Sequence, residues 1–150
     1  MAESIRQQGT PPKSVLFACN LNRVRSPMAA ALLARAGRGR IVVDSCGIAP
    51  AEEIDPFAWA AMSEIGVDLG EHVPKAFGDL DPTAFELVIS LTPEAHRYAE
   101  ERFHGSGVAL DVWEVDDPTL VEGSREQRMA AYRAVRDALR RRLSQRFPPE

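Results

Sequence analysis

The strongest constraint on the fold is a regular alternation along the chain: a short apolar run, then a segment of helical pattern, repeated four times. Ser14-Val15-Leu16-Phe17-Ala18 is apolar throughout and too short for a buried helix, so it reads as a strand ending at Cys19. Ser26-Pro27 opens the first helix, with the serine as cap and the proline at the first helical position. Met28 to Ala36 continues it and Gly37 ends it. Ile41-Val42-Val43 is the second strand. Asp55-Pro56 opens the second helix, which runs to about Ile65 and stops at Gly66. After a long loop from Val67 to Thr83, Phe85 to Leu91 reads as a strand and Pro93 to Phe103 as a helix. Val108 to Val115 is the fourth strand, interrupted by Asp111 and Glu114. Ser124 to Leu143 is the last helix, striped by Met129, Tyr132, Val135 and Leu139. This order predicts a single three-layer α/β domain, a four-stranded parallel sheet flanked by helices on both faces. The domain spans 13–147, behind a disordered polar lead-in at 1–12 and before a frayed tail from Phe147 to Glu150.

In such sheets ligands bind beyond the carboxyl ends of the strands. Two polar segments fall on that rim: the loop that starts at Cys19, and Asp116-Asp117-Pro118 after the fourth strand. The first, Cys19-Asn20-Leu21-Asn22-Arg23-Val24-Arg25-Ser26, carries most of the functional information. A loop of this kind, entering a helix, can turn several backbone N–H groups inward and form an anion cradle together with the helix N-terminus. The same field stabilises a thiolate at its base. Arg25 can hold two oxygens of a tetrahedral oxyanion through its planar fork. The arrangement suits a thiol nucleophile attacking phosphorus or arsenic. The spacing from Cys19 to Arg25 is weak by itself; the strand before it, the helix start after it and the Asp-Pro segment across the rim make it informative.

Several classes are excluded. The net charge of −4 argues against a general nucleic-acid surface. No apolar run approaches the roughly 20 residues of a membrane span, and Met1 to Lys13 lacks a signal-peptide core. The two cysteines, Cys19 and Cys46, build no disulfide framework and fit a reducing cytosol. No second histidine stands at metal spacing from His72, so no metal or other cofactor is expected. His96 and His104 read as surface residues, and Phe57 and Trp59 as core. Trp113 either lines the pocket or fills the sheet face. Arg23 is either a solvated side chain or a source of positive field at the mouth. Cys46 packs against the sheet, or serves as partner to an oxidised Cys19. An Asp-Pro pair can open an ordinary turn; across from the cysteine loop, Asp117 can instead give a proton to a leaving oxygen and recover one from water.

Val15-Leu16-Phe17-Ala18-Cys19 followed by Asn22, Arg25, Ser26, Pro27 and Met28, with Asp117-Pro118 downstream, resembles the low-molecular-weight protein tyrosine phosphatases. The thioredoxin-linked arsenate reductases share that fold. The resemblance covers about Lys13 to Phe147. It implies Cys19 as nucleophile, Arg25 as phosphate-binding arginine, and the backbone of Asn20, Leu21, Asn22, Arg23, Val24 and Arg25 as the phosphate cradle. It further implies Asn22, Ser26, Ser45 and His72 as residues that hold the loop in shape, and Asp117 as general acid. The expected activity is hydrolysis of a phosphomonoester, on a phosphorylated protein or a small molecule, through a phosphocysteine intermediate in the cytoplasm. Arsenate reduction with an external thiol, and a phosphate-binding module without turnover, are the alternatives. Four positions depart from the family. Leu21 stands where the family usually has glycine, which places any loop strain there. Val24 replaces a second loop cysteine, and Thr119 and Leu120 replace an aromatic wall. Leu91-Thr92 stands where the phosphatases often have an acidic residue and the arsenate reductases a resolving cysteine.

Overall fold

A computed structural model describes residues 11–148. The expected lead-in lies largely outside the described residues, as do the last two positions of the expected tail. Four parallel strands, β1 (Ser14–Cys19), β2 (Val42–Gly47), β3 (Leu87–Ser90) and β4 (Ala109–Val112), form one sheet in the order β2-β1-β3-β4. Four helices, α1 (Arg25–Gly37), α2 (Pro56–Ser63), α3 (Pro93–Arg102) and α4 (Arg125–Arg146), pack around it. The predicted single α/β domain is therefore the observed one.

Side-chain parity along β1 sorts the core into two halves. Val15, Phe17 and Cys19 face a cluster built with Met28, Leu32 and Leu33 of α1 and Tyr132, Leu139 and Leu143 of α4. Leu16 and Ala18 face the opposite cluster, with Cys46, Val88, and Ala95, Ala99 and Phe103 on or just beyond α3. Alternation with period two makes this division automatic once both faces are covered. Each large apolar side chain buried this way contributes about 1.5–3 kcal/mol.

Local chemistry explains most helix starts. Asp55 accepts from the amides of Phe57 and Ala58 ahead of Pro56. Thr92 accepts from the amide of Ala95 ahead of Pro93. Ser124 and Gln127 satisfy one another's backbone donors at the start of α4. The predicted boundaries need correction at several points. β2 runs on to Gly47 because it pairs in register with β1 up to Cys19↔Gly47. The regular part of β4 is shorter than expected, although Trp113 and Val115 still donate backbone bonds to Ser90 and Leu91. The long loop holds two single 3₁₀ turns, Phe77–Asp79 and Pro82–Ala84. Trp59, expected in the core, is 45% exposed and donates from its indole to Asp68. Phe57 is half-buried, stacked on Tyr132 and covered by the guanidinium groups of Arg125 and Arg128. Trp113 is buried against Phe17, so it fills the sheet face.

Candidate active site

The segment from Cys19 to Ser26 crosses the carboxyl edge of the sheet between β1 and α1. Its carbonyls are turned outward and used: those of Cys19, Asn20, Leu21 and Arg23 accept from the amides of Ile48, Ala49, Ala51 and Asp55. Its amides are not used. No N–H of residues 20–26 has a hydrogen-bond partner among the described residues. Backbone donors left unpaired in one loop beside a thiol are what an oxyanion site requires. The start of α1 adds to it. Val24 occupies the cap position without any side-chain cap, so the first-turn amides stay open.

This corrects the expected role of Ser26. It does not cap the helix; the helix has already begun at Arg25. Its hydroxyl lies 2.8 Å from Cys19 Sγ and 3.3 Å from the Cys46 carbonyl, and accepts from Asn22 Nδ2 at 2.8 Å. The hydroxyl has one proton, which it can give to Cys19 Sγ or to the Cys46 carbonyl.

Asn22 ties the loop together. It is 0% exposed, and its amide donates to Ser26 and, at 2.9 Å, to Ser45, while its Oδ1 accepts from the amide of Lys75. Its carbonyl meets His72 Nε2 at 3.0 Å. Since a carbonyl only accepts, Nε2 carries the proton, which the neutral ring supplies. Burial holds His72 below the ordinary histidine range and keeps it neutral. Asn22 also carries the loop's positive φ, +54°. The strain expected at Leu21 is therefore absent: Leu21 has no positive φ, and its side chain is 46% exposed. Asparagine tolerates the left-handed region better than most residues, so Asn22 takes the tight turn here.

Across the rim, Arg25 donates from Nη1 to the Val115 carbonyl at 3.0 Å, and its Nη2 lies 3.8 Å from Asp117 Oδ2. Asp117 Oδ1 accepts from the amide and hydroxyl of Thr119, which leaves Oδ2 toward Arg25. A cavity of about 250 Å³ beside the loop is lined by Asn20, Arg25, Thr92, Glu94, Asp116 and Asp117, among others. Cys19, Ser26, Asn22, Ser45 and His72 thus form one chain of hydrogen bonds, and Arg25, at the end of the same loop, meets Asp117. Arg23 is partly exposed and not free: its guanidinium lies 3.6 Å from the buried Asp55, which also accepts from Tyr132. Val24 is buried in the core beside Cys19.

Cys46 is on the other side of the sheet. It pairs with Ala18 and shares that face, whereas Cys19 belongs to the opposite cluster. Burial pushes its thiol far above the usual range, so it remains protonated. A bond between the two sulfurs would require one strand to turn over. Among the described residues no group of three or more His, Cys, Asp or Glu side chains could hold a metal ion, and no helix is long and apolar enough to cross a membrane.

Some supporting residues carried no usable signal in the sequence. Gly47 backs the loop so closely that a Cβ there would lie 2.8 Å from the Asn22 amide and 2.9 Å from the Asn20 carbonyl. Lys75 bonds Asp44 through Nζ at 2.7 Å while its amide holds Asn22. Both act through long-range contacts that no local pattern announces.

The sequence pattern of the family described as low molecular weight phosphotyrosine protein phosphatase matches residues 14–147. The chain belongs to this family. Among its relatives, a glutaredoxin arsenate reductase of Synechocystis is 28% identical over 141 residues, covering 87% of this chain and 93% of that protein. An arsenate reductase of Halalkalibacterium halodurans is 31% identical over 137 residues, covering 87% and 92%. Among solved structures, the YwlE arginine phosphatase of Geobacillus stearothermophilus superposes with a TM-score of 0.73 at 27% identity, covering 90% of each chain. A low-molecular-weight phosphatase-family chain of this kind thus has relatives of both chemistries, phosphate hydrolysis and arsenate reduction.

Proposed function

We propose that this member of the family is a phosphatase that hydrolyses phosphomonoesters through a phosphocysteine on Cys19. One observation carries the reading: the loop that begins at the Cys19 thiol has backbone amides, at residues 20–26, without partners among the described residues, and the thiol itself meets the Ser26 hydroxyl. In the first step the Cys19 thiolate attacks phosphorus in line, the S–P bond forms and the P–O bond breaks. The loop amides and the Arg25 fork stabilise the equatorial oxygens. Asp117, in its acid form, protonates the departing oxygen. In the second step water attacks the phosphocysteine, gives its proton to the Asp117 carboxylate, and the thiolate leaves. The substrate is a phosphorylated protein or a small phosphomonoester.

Arsenate reduction is the second reading, favoured by the names of the relatives at 28% and 31% identity. That chemistry needs thiols to deliver electrons to the Cys19 adduct. Thr92 replaces the expected resolving cysteine, and Cys46 faces away from Cys19. Only an external thiol could serve. The test is direct: steady-state release of phosphate from an aryl phosphate, set beside loss of arsenate with and without glutathione and a glutaredoxin. Phosphate release abolished by Cys19→Ser supports the phosphatase. Thiol-dependent arsenate loss without phosphate release overturns it.

A further inference from the structure

Asn20 is the first residue after the nucleophile, and its side chain is held in one orientation by a partner 72 positions away. Thr92 Oγ1 accepts the amide of Ala95 at 3.0 Å and donates its own proton to Asn20 Oδ1 at 2.8 Å. Thr92 is itself 3% exposed, so this hydroxyl is fixed by burial as well as by its role at the start of α3. With Oδ1 occupied, the two protons of Asn20 Nδ2 remain, and they have no partner among the described residues. Asn20 lines the cavity of about 250 Å³ on the side of the site where Arg25 and Asp117 stand. With Asp117 as the proposed acid, a leaving group would depart on this side.

The rest of that cavity is consistent with a polar occupant. Thr92, Glu94, Glu114 and Asp116 line it, and no aromatic ring does. Thr119 turns its hydroxyl back onto Asp117, and Leu120 is 76% exposed, so neither supplies a flat wall. The volume admits either a short polyol or a phenyl ring, so the polar lining rather than the size discriminates between them.

We infer that Asn20, aimed by Thr92, is a specificity-determining residue that donates a hydrogen bond to an oxygen on the leaving group and selects small polyol or hydroxyalkyl phosphates over aryl phosphates. The inference rests on reading the Cys19 loop as a phosphate site. It does not require turnover. A donor that would otherwise be stripped of water by an aryl ring disfavours that ring, and one that meets a hydroxyl oxygen favours the hydroxyl-bearing ligand.

Equilibrium binding by calorimetry to the full chain carrying Cys19→Ser tests it, with three probes: glycerol 1-phosphate, phenyl phosphate and inorganic phosphate. Adding Asn20→Leu should shift the preference about tenfold toward phenyl phosphate, the worth of one hydrogen bond. Thr92→Val should shift it in the same direction, and Thr92→Ser should restore the parent ratio. Inorganic phosphate, which reaches only the cradle, is the reference against which the two esters are compared in each variant. A ratio that stays within twofold in Asn20→Leu overturns the inference. So does an equal weakening of all three probes, which would make Asn20 a loop-stabilising residue only. Turnover of the two esters by the native chain is measured alongside. If neither is hydrolysed while the binding ratio shifts as stated, the phosphatase reading falls and the role of Asn20 stands. If both are hydrolysed and the ratio is unmoved, the reverse holds.

Discussion

Replacing Asn22 by alanine should do more damage than any other single change in the loop. The side chain makes three hydrogen bonds, to Ser26, Ser45 and the Lys75 amide, in a position with no solvent access. Alanine removes all three. The Lys75 N–H then loses its acceptor inside the protein, at about 1–3 kcal/mol, and each lost hydroxyl contact costs about 0.5–1.5 kcal/mol. Alanine must also adopt the φ of +54° that asparagine holds, which adds about 1 kcal/mol. The sum is about 3–7 kcal/mol, or roughly 6–28 °C in melting temperature for a chain of this size. Asn22→Gly separates the two causes. It loses the same hydrogen bonds but takes the positive φ without steric strain, and should retain about 1 kcal/mol more stability than Asn22→Ala. Urea unfolding of the parent and both variants, with phosphate affinity measured in parallel, is the assay. A loss below 1 kcal/mol in Asn22→Ala would refute the hydrogen-bond argument. A glycine variant less stable than the alanine variant would refute the argument from φ.

Other perturbations probe the surrounding shell. Gly47→Ala should leave the fold intact yet weaken phosphate binding by tenfold or more, since its Cβ would press on the backbone of Asn20 to Asn22; circular dichroism and phosphate titration read the two effects separately. Acidification should loosen the loop. Burial lowers the folded-state pKa of His72, so the unfolded chain takes up that proton first. Its contribution is complete above the unfolded value of about 6.5 and is lost as pH falls below it toward the lower folded value. His72→Gln should flatten that part of the stability profile, and an unchanged slope would count against the assignment. Asp117→Asn should lose about 10²–10⁴ in rate on an alkyl phosphate and far less on a nitrophenyl phosphate, whose phenolate leaves without a proton. Asp116→Asn should show no such dependence, and equal losses on both substrates would move the acid elsewhere.

Much of this architecture was legible in the residues themselves. The apolar run before Cys19, the Asp55-Pro56 and Pro93 helix starts and the stripe of Met129, Tyr132, Val135 and Leu139 are local signals, set by short-range sterics, capping and period. They predict a parallel α/β sheet with the cysteine loop and Asp117 on one rim, and that is where both are found. Other features depend on which partners arrive from far along the chain. Ser26 has the right chemistry for a helix cap, but Cys19 and Asn22 claim its hydroxyl, so the helix begins without one. Trp59 has a core residue's composition but lies on the outer face of α2, because only Ala58, Ala61 and Met62 of that helix are buried. Leu21 could be judged strained only until the turn was seen to fall on Asn22. Two cysteines count as a possible pair until the register of β1 with β2 sends them to opposite faces. A single residue type encodes what a group can bond; the packed structure decides which of several competent partners comes within 3 Å, since an oxygen already satisfied over a long range is no longer available to the local role its sequence neighbours suggest.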